Sequence, residues 1–289
     1  TTNFPVDLVI QKDRQQANQW NVQDRLRGGM RSWDTNSTAA ENSTTSSSFW
    51  SYFDYSDAVE LNFFSSSSSN NIIYSFKRAP SFFDAVCYTG TGSTQNISHN
   101  LGVEPEMMWV KRLDTVGDPQ VYHKSIDVAG DGNPAQGALG LSGTSPASDQ
   151  TAFWNDTKPT SSVFTVGTKD VTNGSGSKFI AYLFASLDGV SKFGGYTGNG
   201  TSQTINVGFQ PRFVCFRKWG GTAGGAGFVV YDTVRGINAG NEPYLQFSNN
   251  TAEVSTVDWI DLETNGFSVS GTSGWNNASG AEYLYWAIA

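Results

Sequence analysis

Apolar residues recur along this chain in short alternating runs, not at helical spacing. In Lys178–Ala185 (KFIAYLFA), Ile180, Tyr182 and Phe184 fall on one face; Leu284, Trp286 and Ile288 do so in Glu282–Ala289 (EYLYWAIA), and Ile72, Tyr74 and Phe76 in Asn71–Lys77 (NIIYSFK). A period of two is what a half-buried strand requires. Burying such side chains contributes roughly 1.5–3 kcal/mol each, so these nine positions are read as core. Apolar runs also follow three prolines, at Pro5 (PVDLVIQK), Pro105 (PEMMWVKR) and Pro211 (PRFVCFRK). Further strands are predicted at Val163–Gly167 (VFTVG) and Gly266–Gly271 (GFSVSG), the latter entered through the turn signal Asn265-Gly266. A less regular counterpart is Val59–Phe63 (VELNF). Few windows carry apolar residues at i, i+3, i+4 and i+7, and no apolar stretch is long enough to cross a bilayer.

These runs form a repeat. The core Tyr-Thr-Gly-x-Gly occurs at Tyr88 and again 108 residues later at Tyr196, each followed by a proline and its apolar run. A period near 100 residues, longer than a solenoid repeat, fits one small domain per unit. The fold expected is therefore all-β, with three tandem antiparallel β-sandwich-like units of about 80–110 residues each: an incomplete first repeat at 1–79, a second at 80–189 and a third at 190–289. The connections at Arg78–Pro80 and Ser186–Val190 are short, which favours a compact or stiff array. Both later units open with Tyr-Thr-Gly-x-Gly and a short strand before the proline, whereas only Thr1–Phe4 precede Pro5. The first unit thus lacks its opening hairpin, and its post-proline strand, apolar at Val6, Leu8 and Ile10, is expected to present an edge completed by another chain or an upstream segment.

Composition adds exclusions. A net charge of −8 and a sequence pI near 4.7 argue against binding a phosphate backbone. Cys87 and Cys215 occupy non-equivalent places in the repeat and are expected to stay unpaired. The start, TTNF, shows no basic-then-apolar leader. Serine-rich runs at 43–48 and 65–69 read as loops.

Candidate chemistry is sparse. His99 and His123 do not recur between units, and no Gly-x-Ser-x-Gly elbow accompanies them, so no catalytic residue is assigned. Asp127, Asp131 and Asn133 resemble part of a calcium loop without its terminal glutamate and read as an Asp-Gly turn; no metal or cofactor is expected. Asp24-Arg25-Leu26-Arg27-Gly28 is echoed by Asp232-Thr233-Val234-Arg235-Gly236, and an Asp and Arg three apart are expected to pair locally and fix a loop. The candidate ligand or receptor contacts are four tryptophans outside the periodic strands: Trp33 and Trp50 flanking a serine-rich loop, Trp219 leading into GGTAGGAG, and Trp275 in GTSGWNNASG. Such residues stack on sugar rings or anchor protein contacts, or fold back over their own sheet.

The ordered set of post-proline strand, Asp-x-x-Arg-Gly, an Ala-Glu segment (Ser37–Glu41 and Asn249–Glu253), Gly-Phe-x-Val strand, closing aromatic strand and Tyr-Thr-Gly-x-Gly resembles a repeat domain of predicted tail-fibre and appendage proteins of marine bacteriophages, including cyanophages. The second unit departs from it by lacking Asp-x-x-Arg-Gly and the Ala-Glu pair. The resemblance implies a non-enzymatic virion structural protein, a tail-fibre or surface-appendage subunit contributing to host attachment, located in the virion. Its expected partners are itself, as a homo-oligomer with a trimer favoured, other virion proteins, and a host surface glycan or protein. Nucleic acid and membrane insertion are not expected. A competing expectation is a carbohydrate-binding module array of a viral or bacterial extracellular protein.

Overall fold

The computed structural model describes residues 2–43, 51–61, 70–221, 225–237, 240–271 and 273–289. It is 40% strand and 5% helix, an all-β, sandwich-like protein. In chain order the strands are β1 (Leu8–Asp13), β2 (Asn21–Asp24), β3 (Arg31–Asp34), β4 (Asn42–Ser43), β5 (Ser51–Tyr52), β6 (Glu60–Leu61) and β7 (Asn71–Phe76). Then follow β8 (Phe83–Thr89), β9 (Gln95–Ser98), β10 (Met107–Arg112), β11 (Gln120–His123), β12 (Gly137–Gly140), β13 (Ser148–Asp149), β14 (Val163–Val166) and β15 (Lys178–Phe184). The last group is β16 (Ser191–Thr197), β17 (Gln203–Asn206), β18 (Phe213–Gly220), β19 (Val229–Asp232), β20 (Leu245–Gln246), β21 (Ile260–Glu263), β22 (Gly266–Val269) and β23 (Glu282–Ile288).

Three large antiparallel sheets share one strand order: β4-β3-β2-β1-β7, β13-β12-β11-β10-β15-β8 and β20-β19-β18-β23-β16. The post-proline strands β1, β10 and β18 lie at the centre of each, and the closing strands β7, β15 and β23 pair with them. A smaller sheet, β14-β9 or β17-β22-β21, covers the outer face of the second and third large sheets, and the β5-β6 pair accompanies the first. The strands therefore have two buried faces. On β10, Met108 and Val110 face an outer core with Phe164 and Val166, while Met107 and Trp109 face inward. This is why the post-proline runs are continuously apolar and not alternating.

The inward faces of all three large sheets meet in one core. Ile72, Phe76, Trp20, Met107, Trp109, Tyr182, Phe184, Phe213, Leu284 and Trp286 belong to a single buried cluster, with Tyr74 and Ile288 packed against it. Trp286 is its hub: ring centroids of Phe213, Phe184, Phe76, Phe193 and Trp109 lie 4.8, 5.0, 5.6, 5.8 and 6.1 Å away. The sheets close a ring instead of forming a linear array.

Equivalent buried cations stitch that ring. At one position of the post-proline strand stand Lys12, Lys111 and Arg217, each at most 1% exposed. Lys12 Nζ donates to the carbonyl of Asn250 (3.2 Å), Lys111 Nζ to that of Ala39 (2.6 Å), and Arg217 to those of Gly140 (2.6 Å) and Ser145 (2.7 Å). Each charge thus reaches a backbone carbonyl of the neighbouring sheet, and Lys12 and Lys111 donate as well to Gln16 and Asn18 and to Gly117 of their own segments, as a buried cation requires. Burial pushes Lys12 and Lys111 down to about 8 and Arg217 to about 10.

The edge expected to be open is displaced. The post-proline strand β1 is paired on both sides, with β2 and β7. It is β7 that has no second partner among the described residues, where β15 and β23 carry β8 and β16.

Candidate functional site

The motifs that recur in the sequence are mostly structural. Tyr88 and Tyr196 donate their hydroxyls to the carbonyls of Thr172 and Asn276, both at 2.6 Å. A Cβ at Gly90 would collide with the carbonyl oxygen of Gly174, and one at Gly198 with that of Ala278. The turns are pinned by buried Asn173 and Asn277, whose side-chain oxygens accept from Thr91 N and Gln95 Nε2 and from Asn199 N and Gln203 Nε2. These asparagines escaped the sequence reading. Their signal was Asn-x-Ser-Gly five residues before each closing strand (Asn173-Gly-Ser-Gly, Asn277-Ala-Ser-Gly).

Asp-x-x-Arg-Gly does pair locally, with Arg27 Nε 2.5 Å from Asp24 and Arg235 Nε 2.5 Å from Asp232. The same groups also lock neighbouring sheets together. Tyr182 of the second sheet donates to Asp24 Oδ2 at 2.7 Å, and Tyr74 of the first donates to Asp232 Oδ2 at 2.8 Å. Glu41 and Glu253, the glutamates of the Ala-Glu pairs, lie 2.8 Å from Arg27 and 3.5 Å from Arg235. Burial raises the Tyr74 and Tyr182 phenols well above their usual range, so both act as donors. At the third junction His123 stands where the other sheets have aspartate, Trp286 where they supply tyrosine, and His123 Nε2 lies 3.3 Å from the Tyr285 carbonyl oxygen. The second segment's lack of the motif is thus matched by a change in the side chain that meets it.

Both histidines are buried. His99 contacts the Thr160 carbonyl, and burial pushes His123 down to about 3. Asp127 accepts from the backbone N–H groups of Asp131 and Gly132, and Asp131 from that of Asn133, the expected turn. Cys87 is exposed and Cys215 lies in the central core. In a cleft of about 620 Å³ between the first two sheets, Arg27 and Arg31 are neutralised by Glu41, and Lys178 donates to Thr89.

The tryptophans separate. Trp33 is buried, with its indole N–H 3.2 Å from the Tyr182 hydroxyl, and Trp219 is buried in the central core; neither offers a ring face to a ligand, because each is enclosed by neighbouring sheets. Trp50 lies outside the described residues. Trp275 is half-buried and stacks on Trp259 (6.3 Å, 16° between planes), which stacks on Tyr244 (5.3 Å, 24°). The connection from β20 to β21 supplies Trp259 and the turn after β22 supplies Trp275; Asn276 Nδ2 joins them by donating to the Trp259 carbonyl at 3.0 Å.

Beside this aromatic row lie Glu242, Asp258 and Asp261, with a carboxylate oxygen of each within 4.8 Å of the others. Glu242 is fully buried; Oε2 accepts from Trp259 N at 3.2 Å and Oε1 has no partner among the described residues. Burial, reinforced by Asp258 and Asp261, pushes its carboxyl up to about 7. Among the described residues no arginine or lysine pairs with the trio. Such oxygens suit a hard divalent cation or polarised hydroxyl groups. Trp259, Tyr244 and these acids were invisible as a group because up to 19 residues separate them.

No curated protein and no solved structure matches the chain. The family described as a domain of unknown function (DUF7483) matches residues 73–289, three-quarters of the sequence, and the chain belongs to that family.

Proposed function

We propose that the chain is a non-enzymatic structural subunit of a virion appendage of the tail-fibre type, contributing to host attachment through a surface site in its third segment. On this reading residues 1–79, 80–189 and 190–289 are three copies of one unit, the protein acts in the virion, and its partners are further copies of itself, a homotrimer first, together with other virion proteins. The observation that carries the attachment role is the half-buried pair Trp259–Trp275, stacked on buried Tyr244 and set beside three carboxylates. Flat aromatic faces stack on the apolar faces of sugar rings, and carboxylates accept hydrogen bonds from ring hydroxyls. The burial of both histidines supports the non-enzymatic reading, since neither is free to exchange protons with a substrate.

The same observation favours a second reading, a carbohydrate-binding module of a viral or bacterial extracellular protein. A glycan array with the intact chain, Trp275→Ala, Trp259→Ala and Asp261→Asn tests both. Expected is binding to a restricted set of glycans, weakened at least tenfold by each substitution, with Tyr88→Phe, far from the row, unchanged. Adsorption of particles carrying the chain separates the readings. If no glycan binds and Trp275→Ala leaves adsorption intact, the site assignment is wrong.

A further inference from the structure

Among the described residues, two of three equivalent places beside a closing strand are filled. β8 pairs with β15 over seven residues, from Phe83↔Phe184 to Thr89↔Lys178, and β16 pairs with β23 from Ser191↔Ile288 to Thr197↔Glu282. The corresponding edge of β7 borders a groove lined by Ile73, Tyr74, Ser75, Phe82, Phe213 and Ile288. Burial records the difference: Tyr182 and Trp286 are at most 2% exposed, while Tyr74, their equivalent, is half-buried. On the rim, Val234 stands 74% exposed. An edge left without a partner among the described residues and walled by apolar side chains is a template for another strand.

The backbone of β7 is set up to receive one. Arg14 N donates to the Asn70 carbonyl, so even-numbered residues of this strand turn their N–H and C=O groups toward β1. Ile73 and Ser75 therefore turn theirs into the groove. In β15 the matching alternation serves β8, with Gly90 N donating to Ser177 O and Ala185 N to Phe82 O.

We infer that the groove along β7 is a strand-addition site whose occupant is an extended segment with the pattern of β8 and β16, antiparallel to β7. The two filled places define that pattern. Each strand sends one phenylalanine inward, at positions two residues apart in the common register: Phe83, opposite Phe184, onto Phe184 (5.0 Å) and Phe76 (5.8 Å), and Phe193, opposite Trp286, onto Trp286 (5.8 Å) and Phe184 (6.2 Å). The position before Tyr-Thr is small, Cys87 or Gly195, and a Cβ at Gly195 would approach Ser125 Cβ to 2.8 Å. In the β7 groove the same end faces the Asp232–Val234 corner. Main-chain hydrogen bonds supply affinity, and an inward aromatic at either phenylalanine position packs on the shared core. This site is remote in purpose from the aromatic row, and its test does not depend on glycan binding.

The probe is a fluorescent peptide of residues 190–198, titrated with the full chain and read by anisotropy. Val190 O accepts from Ala289 N and Gly198 N donates to Ala281 O, so even-numbered residues of this segment face the partner strand. Saturable binding is expected, at least tenfold weaker when Gly194 is N-methylated and unchanged when Gly195 is. Ser75→Pro removes only a groove-facing N–H and is expected to abolish binding while the β1 ladder persists. A folded chain that shows no saturation up to about 1 mM peptide, equal binding of a scrambled peptide, or equal loss from both methylations would overturn the inference.

Discussion

Trp286→Ala is the sharpest perturbation of the closed ring. The indole is 2% exposed and touches rings from all three large sheets: Phe76 from the first, Trp109 and Phe184 from the second, Phe193 and Phe213 from the third. Truncating a buried tryptophan costs about 3–5 kcal/mol through lost transfer energy and the cavity left behind. At roughly 2–4 °C per kcal/mol for chains approaching this size, the midpoint should fall on the order of 10 °C. Because the cavity opens onto every sheet, calorimetry should show one transition moving as a whole. Trp286→Phe is the control: it keeps most of the ring and removes an indole N–H that is buried with no partner among the described residues. An unmade hydrogen bond costs about 1–3 kcal/mol, which offsets much of the smaller ring's loss, so the net change should stay within about 1 kcal/mol. Separate transitions, with Trp286→Ala shifting one of them and sparing the others, would refute the shared core.

Asp24→Ala should destabilise the chain by about 3–5 kcal/mol, since it strands the enclosed Arg27 charge; denaturant unfolding measures it, and a loss below about 1 kcal/mol would show that Glu41 alone suffices. His123 has a folded pKa near 3, below its ordinary 6.5, so the unfolded chain binds the extra proton between these values and stability should fall as pH drops below about 6.5, by up to about 1.4 kcal/mol per pH unit. A His123→Gln variant whose midpoint falls just as steeply across that window would exclude this histidine as the cause. Glu242 has the opposite sign. Its folded pKa near 7 lies above the ordinary 4.5, so the native state holds the extra proton and stability should decline from about pH 4.5 to 7, a slope that Glu242→Gln removes. Chelator is expected to leave the melting temperature unchanged; a drop abolished by Asp261→Asn would assign a structural ion to the Glu242, Asp258 and Asp261 trio.

Much of the local structure was legible. Alternation in NIIYSFK, KFIAYLFA and EYLYWAIA placed the inward residues because strand geometry depends only on neighbours two apart. Tyr-Thr-Gly-x-Gly announced a turn because a missing Cβ is a local requirement. The co-occurrence of Asp-x-x-Arg-Gly with Ala-Glu was also visible, but its partner was not: Tyr182 is 158 residues from Asp24 and belongs to another sheet. The same distance blindness governed the tryptophans. Loop composition left Trp33 and Trp219, like Trp275, free either to meet a ligand or to fold back over a sheet; neighbouring sheets enclose the first two, whereas Trp275 keeps part of its ring at the surface. Nor could the sequence say that the open edge would fall on β7, since pairing joins segments remote in the chain. Sequence alone thus determined what each strand presents to its two faces, a matter of period and side-chain chemistry. Which faces meet was decided only when three sheets closed on one aromatic core, because burial is a property of the space between segments.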